Sequence, residues 1–224
     1  MDHSCEWEGG DIMDFKKDVI VAALEKALAS KGKRKFKQSV EFIVNFRGID
    51  FNKPENRLNV EVKLPKGRGK ENKLVVVGDE SALHELKKDF PDLLTFTPKD
   101  VEEMDKKKVK LLAKDHLFYA FPKNIAVVAK NWAKILGPRG KSPRPLVGNP
   151  KEAIATAKNT ARVATRGKNL PTVHTVVGSE DMDASDIAEN ILAVVETMKK
   201  KIATTNIKSA FVKLSMGSPA KVGE

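Results

Sequence analysis

Residues 58–77 read LNVEVKLPKGRGKENKLVVV, and two kinds of strand meet in them. In the first half Leu58, Val60, Val62 and Leu64 alternate with Asn59, Glu61 and Lys63, the period of a strand with one face buried and one face wet. In the second half Leu74-Val75-Val76-Val77 is apolar without interruption, as in a strand covered on both faces. Between them, Pro65-Lys66-Gly67-Arg68-Gly69-Lys70 reads as a loop or hinge, since proline withholds a ladder donor and glycine frees the backbone. The chain changes its style of folding across that hinge.

Upstream of it, Ile20, Ala23, Leu24, Ala27 and Leu28 recur at three- and four-residue spacing and predict an amphipathic helix over about 14–30, with Asp14 and Asp18 at its positive end. A basic turn, Lys31-Gly32-Lys33-Arg34-Lys35, follows. Val40, Phe42, Val44 and Phe46 then alternate with Glu41 and Asn45 as a half-buried strand. A polar loop with Pro54 separates this run from 58–64, and the two predict an antiparallel pair.

Downstream, helical pattern at 80–89, a short apolar run at 93–96, a charged helical region at 98–114, an apolar run at 117–121 and a helix at 123–135 spell an α/β unit with a mainly parallel sheet. A Gly/Pro-rich loop at 137–145 and a helix at 150–158 complete it. The alternating style returns at 161–165, 173–177 and 207–214, interrupted by a long helix at about 184–202. Asp183 or Ser185 is placed to cap that helix, and Lys199-Lys200-Lys201 closes its negative end. The expected architecture is a discontinuous α+β domain, 13–69 plus 156–224, built on an antiparallel sheet with helices. Into it is inserted a three-layer α/β domain, 70–155. The insert carries 17 Lys and Arg against 12 Asp and Glu; the outer domain from Met13 carries 24 against 14.

Composition narrows the function. With 41% apolar residues the 224-residue chain can bury a core, and a net charge of +11 with a pI near 9.6 attracts polyanions, nucleic acid first. A single cysteine, Cys5, permits neither an internal disulfide nor a thiol-rich zinc site and suits a reducing, cytoplasmic setting. No apolar run approaches the length of a membrane span. Residues 1–12 hold Asp2, Glu6, Glu8 and Asp11 with no Lys or Arg and no periodicity. Glu8-Gly9-Gly10-Asp11 is also what a purine-rich ribosome-binding site would encode just before Met13, so Met13 is the expected start.

Catalytic motifs fail on inspection. Gly140-Lys141-Ser142 invites a phosphate loop, but Ile135 stands where the first glycine is required, and Pro138 and Pro143 remove backbone donors. The loop instead offers Arg139, Lys141 and Arg144 on a stiff backbone, suited to touching a phosphate chain or equally to a structural proline turn. His84-Glu85 lacks the second histidine of a zinc protease, since Lys88 occupies its place. His3, His84, His116 and His174 show no ligand spacing, so no metal, cofactor or enzymatic activity is expected.

Two other segments carry more chemistry. In Lys33-Arg34-Lys35-Phe36-Lys37-Gln38-Ser39, an aromatic ring stands among cations and small hydrogen-bonding side chains, a combination that neutralises phosphate and offers a flat contact. The same pattern also fits a hydrophobic residue leading into a strand with a solvated flank. In Lys213-Leu214-Ser215-Met216-Gly217-Ser218-Pro219 a strand ends in a small-residue turn where Gly217 permits close approach and Ser215 can bond sugar or phosphate; an ordinary loop reads the same way.

Taken in order, Lys35-Phe36 with Ser39, Leu136-Gly137-Pro138-Arg139-Gly140 and Ser215-Met216-Gly217 resemble the L-one family of large-subunit ribosomal proteins. Pro54-Glu55-Asn56-Arg57-Leu58 and Leu64-Pro65-Lys66-Gly67-Arg68-Gly69-Lys70 resemble its archaeal branch. The likeness runs from Met13 to about Lys221. It implies a two-domain fold with one domain inserted in the other. It implies binding to the mobile large-subunit rRNA stalk beside the tRNA exit site, help in releasing deacylated tRNA, and repression of the protein's own mRNA through a mimic of that stalk. A stand-alone mRNA-binding repressor is the alternative, and a monomer off the ribosome is expected. Carried over by position, Lys35, Phe36 and Ser39, with Glu41 beside them, are the N-terminal RNA contacts. Ser209, Ser215, Met216 and Gly217 are the C-terminal ones, with Lys213 on the same strand end. Lys168-Asn169 stands where the family often has an acidic-basic pair, ahead of the strand that carries His174. Ser215 and Ser218-Pro219 depart from the usual wording around Met-Gly, and Glu25 is not carried over as a contact.

Overall fold

The computed structural model describes residues 15–32, 34–51, 53–165 and 170–223. The proposed start at Met13 and residues 1–12 lie outside them. The chain divides into two compact units: one comprises the chain up to Lys70 together with Thr160 onward, the other Glu71–Asn159.

The discontinuous unit begins with helix α1 (Lys17–Ala29), whose Ile20, Ala23, Leu24 and Ala27 are buried. Strand β1 (Ser39–Phe46) alternates strictly, with Val40, Phe42, Val44 and Phe46 inward. Strand β2 (Asn59–Lys63) closes the first half. The expected antiparallel partnership of these two runs is wrong. β1 lies between strands that come much later in the chain, so both its edges are taken, while β2 pairs elsewhere. Twelve residues, Arg47 to Leu58, including a 3-10 turn at Pro54–Asn56, carry the chain from one sheet to the other, which no tight hairpin would do.

In the insert, β3 (Lys73–Val77), α2 (Glu80–Asp89), β4 (Leu94–Phe96), α3 (Pro98–Glu103), α4 (Lys106–Asp115), β5 (His116–Ala120), α5 (Ile125–Leu136), β6 (Arg144–Pro145) and α6 (Pro150–Lys158) follow one another. Its sheet runs β4-β3-β5-β6, all parallel. Val75, Val77, Phe118 and Ala120 pack against α3, α4 and α5 on one face; Leu74, Val76 and Tyr119 pack against α2 and α6 on the other. Three layers result, which is why these strands read as unbroken apolar runs. Trp132 sits edge-on to Phe96 and Phe118 in the first core.

Two local readings change here. The charged stretch at 98–114 is two helices: Thr97 caps α3 in a reciprocal box with Asp100, Met104 turns extended, and the Asp105 carboxylate accepts from Lys107 N–H to start α4 afresh. Arg144-Pro145, expected in a loop, forms a short strand beside β5, where the proline occupies a sheet edge.

Back in the discontinuous unit, β7 (Thr160–Ala164) pairs with β2, and β8 (Thr172–Ser179), α7 (Ala184–Lys199), β9 (Ile207–Leu214) and β10 (Ala220–Lys221) complete it. The larger sheet is antiparallel, in the order β10-β9-β1-β8. One face packs on α1 and α7, burying Phe42, Ile187, Ile191, Val194 and Val212. Asp183 stands at the cap position of α7 but its side chain makes no capping bond. Asn190, fully buried on α7, holds the loop that follows β2: its Nδ2 donates to Gly67 O and Val177 O, and its Oδ1 accepts from Lys66 N–H.

Candidate nucleic-acid interface

The alternation that buries one face of β1 turns Ser39, Glu41, Ile43 and Asn45 to the other. Register aligns them with their neighbours. Glu41 stands opposite Lys213, Asn45 opposite Ser209, and Ile43 opposite both Phe211 and His174. Among the described residues, three rows of polar and apolar side chains on this face are left half-exposed. One row is joined across three strands: Thr172 Oγ1 donates to Asn45 Oδ1 at 3.1 Å, and Asn45 Nδ2 donates to Ser209 Oγ at 3.0 Å. Along the β8 edge a shallow groove of about 430 Å³ is lined by Glu41, Leu170, Thr172, His174, Thr175 and Val176.

At the end of β1 the two segments singled out in the sequence meet. Ser215 N–H and Ser215 Oγ both donate to Ser39 O, at 3.0 and 3.2 Å, across 176 positions of chain. Met216 N–H donates to Gln38 Oε1 at 3.1 Å. A Cβ at Gly217 would stand 2.8 Å from Ser30 Oγ and 3.1 Å from Leu214 Cβ, so this turn packs closely on the end of α1. Beside this junction Phe36 is 52% exposed and Met216 60%, two of the few large apolar side chains that face solvent among the described residues.

Gln38 was not singled out from sequence, yet it organises the junction. It is 1% exposed. Its Nε2 donates to Lys31 O, its Oε1 receives Met216 N–H, and its own carbonyl accepts from Glu180 N–H at 3.0 Å. One residue, through its side-chain amide and its main-chain carbonyl, therefore ties the end of α1, the approach to β1, the turn after β9 and the turn after β8. The signal was present: Gln38 has the same parity as Val40 and Phe42, so the strand period points it inward.

The electrostatics hold a second surprise. Lys37 Nζ is 2.7 Å from Asp181 Oδ2, and Lys31 Nζ is 3.6 Å from Glu180 Oε1. The hydrogen bond to Asp181 raises the Lys37 ammonium above its ordinary pKa, and the same bond holds the Asp181 carboxyl below the usual carboxylate range. Part of the basic turn is thus answered by carboxylates of the protein, whereas Lys35 is exposed and has no ion-pair partner among the described residues.

The structure thus brings Lys35, Phe36, Ser39, Glu41, His174, Ser209, Lys213, Ser215, Met216 and Gly217 to one sheet face and its end. Lys168 and Asn169 lie outside the described residues. Arg139, Lys141 and Arg144 belong to the other unit. None of the three stands free: Arg139 Nη1 donates to Lys110 O at 2.6 Å, Lys141 Nζ donates to Lys114 O at 2.7 Å, and Arg144 is also engaged within the protein. Burial lowers the pKa of the Lys141 ammonium.

Comparison with known proteins gives concordant matches. The profile of the ribosomal protein L1p/L10e family matches residues 25–218. The large ribosomal subunit protein uL1 of Thermoplasma volcanium is 38% identical over 95% of this chain and 97% of its own length. That of Methanothermobacter thermautotrophicus is 38% identical over 91% and 98%, and that of Archaeoglobus fulgidus 35% over 94% and 100%.

Proposed function

The chain belongs to the ribosomal protein L1p/L10e family, and on that premise we propose that this large-subunit ribosomal protein binds the mobile rRNA stalk near the tRNA exit site. In this reading it aids release of deacylated tRNA and represses translation of its own mRNA through a similar RNA fold. It works in the cytoplasm on the ribosome, without a cofactor and without catalysis.

The observation that carries the reading is the junction of Ser39 with Ser215, flanked by exposed Phe36 and Met216. Recognition there is by shape. An irregular RNA helix has a wide, shallow minor groove that displays 2′-hydroxyls, and a shallow sheet end suits it better than a deep pocket. Ser39, Ser209, Ser215 and the backbone at Gly217 bond sugar and phosphate. Phe36 and Met216 cover those bonds from water, where each is stronger. Lys35 and Lys213 supply attraction and salt dependence. Glu41 and His174 read hydroxyl and base edges farther along the face, and the loop with Arg139, Lys141 and Arg144 adds a second, weaker contact.

Gel shifts with the stalk rRNA fragment at several salt concentrations test this. Phe36→Ala is expected to weaken binding by ~2 kcal/mol, the scale of a truncated aromatic anchor, with the fold intact because the ring is half out of the core. Unchanged affinity sinks the assignment of this surface. Co-sedimentation with large subunits separates the ribosomal protein from a repressor acting only on mRNA.

A further inference from the structure

Helix α4 carries a denser run of unanswered cations than its neighbours. The positive end of a helix dipole favours carboxylates and the negative end cations. In the same unit α2 has Glu80 in its first turn and Lys87 and Lys88 in its last, and α6 has Glu152 first and Lys158 last. The sequence of α4 is KKKVKLLAKD: the Asp105 cap alone answers its positive end, and three lysines fill the turn that follows. Lys106 with Lys110 and Lys110 with Lys114 are like charges four residues apart, a further destabilising arrangement. All five lysines are exposed, and none forms an ion pair among the described residues. Elsewhere Lys17, Lys31, Lys37, Lys66, Lys151 and Lys158 each have a carboxylate partner.

A second observation adds to the first. The guanidinium of Arg139 and the ammonium of Lys141 bond the carbonyls of Lys110 and Lys114, so two more cations are drawn to the last turns of this same helix. Val109 and Ala113 face the core, which leaves Lys107, Lys110, Leu111 and Lys114 together on the outer side at helical spacing. Lys107 to Lys114 covers ~10 Å of axis. Leu111, 62% exposed, is the one apolar side chain among them. So the face offers little of the apolar centre a protein interface uses, but it suits a polyanion whose affinity comes from releasing condensed counter-ions. Local rules are broken where function demands it.

We propose that the outer face of α4, with Arg139 and Lys141 at its end, is a second RNA-binding surface that grips the phosphate backbone of duplex RNA without regard to sequence. That the polyanion is RNA rests on the reading of the chain as an RNA-binding ribosomal protein. The test uses the full chain and a duplex RNA of arbitrary sequence, followed by fluorescence anisotropy over a range of salt. Lys107→Gln, Lys110→Gln and Lys114→Gln together are expected to lower affinity ~10-fold or more and to flatten the slope of log K against log salt by about 2–3, near one unit per phosphate contact. The triple variant should melt close to the parent, because relief of Lys107 at the helix start and of the Lys110–Lys114 pair offsets the loss of the Lys114 cation from the last turn. Parent-like affinity and slope would overturn the proposal. So would a lower melting temperature, which would make the lysines part of the fold, or polyglutamate bound as tightly as the duplex, which would make the partner an acidic protein. A chain carrying Phe36→Ala and Met216→Ala separates the two surfaces: it should keep its duplex affinity and lose the stalk fragment. If it keeps the stalk fragment while the triple variant loses the duplex, the sheet-end reading falls and α4 stands.

Discussion

The two four-stranded sheets of this protein use the same apolar residues to opposite ends. The parallel sheet β4-β3-β5-β6 spends both faces on packing: Val75 and Val77 look one way, Leu74 and Val76 the other, and all four are buried. The antiparallel sheet buries only the Val40–Phe46 side of β1 and leaves Glu41, Ile43 and Asn45 half-exposed. A sheet covered twice has no side chains left for a ligand. A sheet covered once has a whole row of them, held in register by the strands behind. Chemistry in this fold accordingly gathers on the open face and at its end, while the parallel sheet can act only through the helices around it.

Substitutions at matching depths sharpen that contrast. The largest expected effect is Trp132→Ala in the insert, which removes the ring packed on Phe96 and Phe118 and destabilises that unit by ~3–5 kcal/mol. Thermal or urea unfolding should show an early transition, and stalk-RNA affinity measured below it should not change; a parallel loss of affinity would break the division of labour. Next comes Gln38→Leu. It leaves Lys31 C=O and Met216 N–H without their partner in a buried junction and is expected to cost ~1–3 kcal/mol of stability. It should also weaken RNA binding, because the Met216 turn loses its tether. Denaturation and gel shift on the same preparation check both, and stability lost with affinity intact would reduce Gln38 to a core residue.

The smallest effect belongs to the acidic turn. Asp181→Asn frees Lys37 and should raise RNA affinity slightly at low salt, with the gain fading as salt rises; a fall in affinity would show Asp181 helping the interface. The sign with pH follows from the depressed Asp181 carboxyl. The pair's contribution to the folded state is complete above the ordinary carboxylate pKa and is lost as pH falls through the lowered one. The Asp181→Asn chain should lack that part of the acid dependence in a melting series.

Much of this arrangement was written in the period of the sequence. The strand at 207–214 was bounded correctly because alternation over eight residues has no other easy meaning, and the unbroken run at 74–77 announced its double burial. Partnership was harder. Nothing near β1 says that its neighbours arrive more than 120 residues later, so the nearer run at 58–64 looked like its mate. The break at Met104 was hidden because lysines on both sides sustain a helical pattern, while the cap that restarts the helix is one aspartate among several. The interface was legible as two segments but not as a junction. Gln38 stood inside a run of cations that reads as solvated, and Glu180 and Asp181 sat in a turn with no reason, in one dimension, to meet Lys31 and Lys37. Hydrogen bonds across 176 positions leave no local trace.

The central place of β1 has a consequence for biosynthesis. The insert holds a contiguous stretch of chain and can fold as soon as it leaves the ribosome, since translation delivers its strands and helices one after another. β1 must wait, edges bare, until β8 and then β9 have been translated. The seam of Ser39 with Ser215 closes later still. A nascent chain therefore carries no working sheet-end RNA surface for most of its time on the ribosome that makes it, and only a nearly finished molecule is competent to bind.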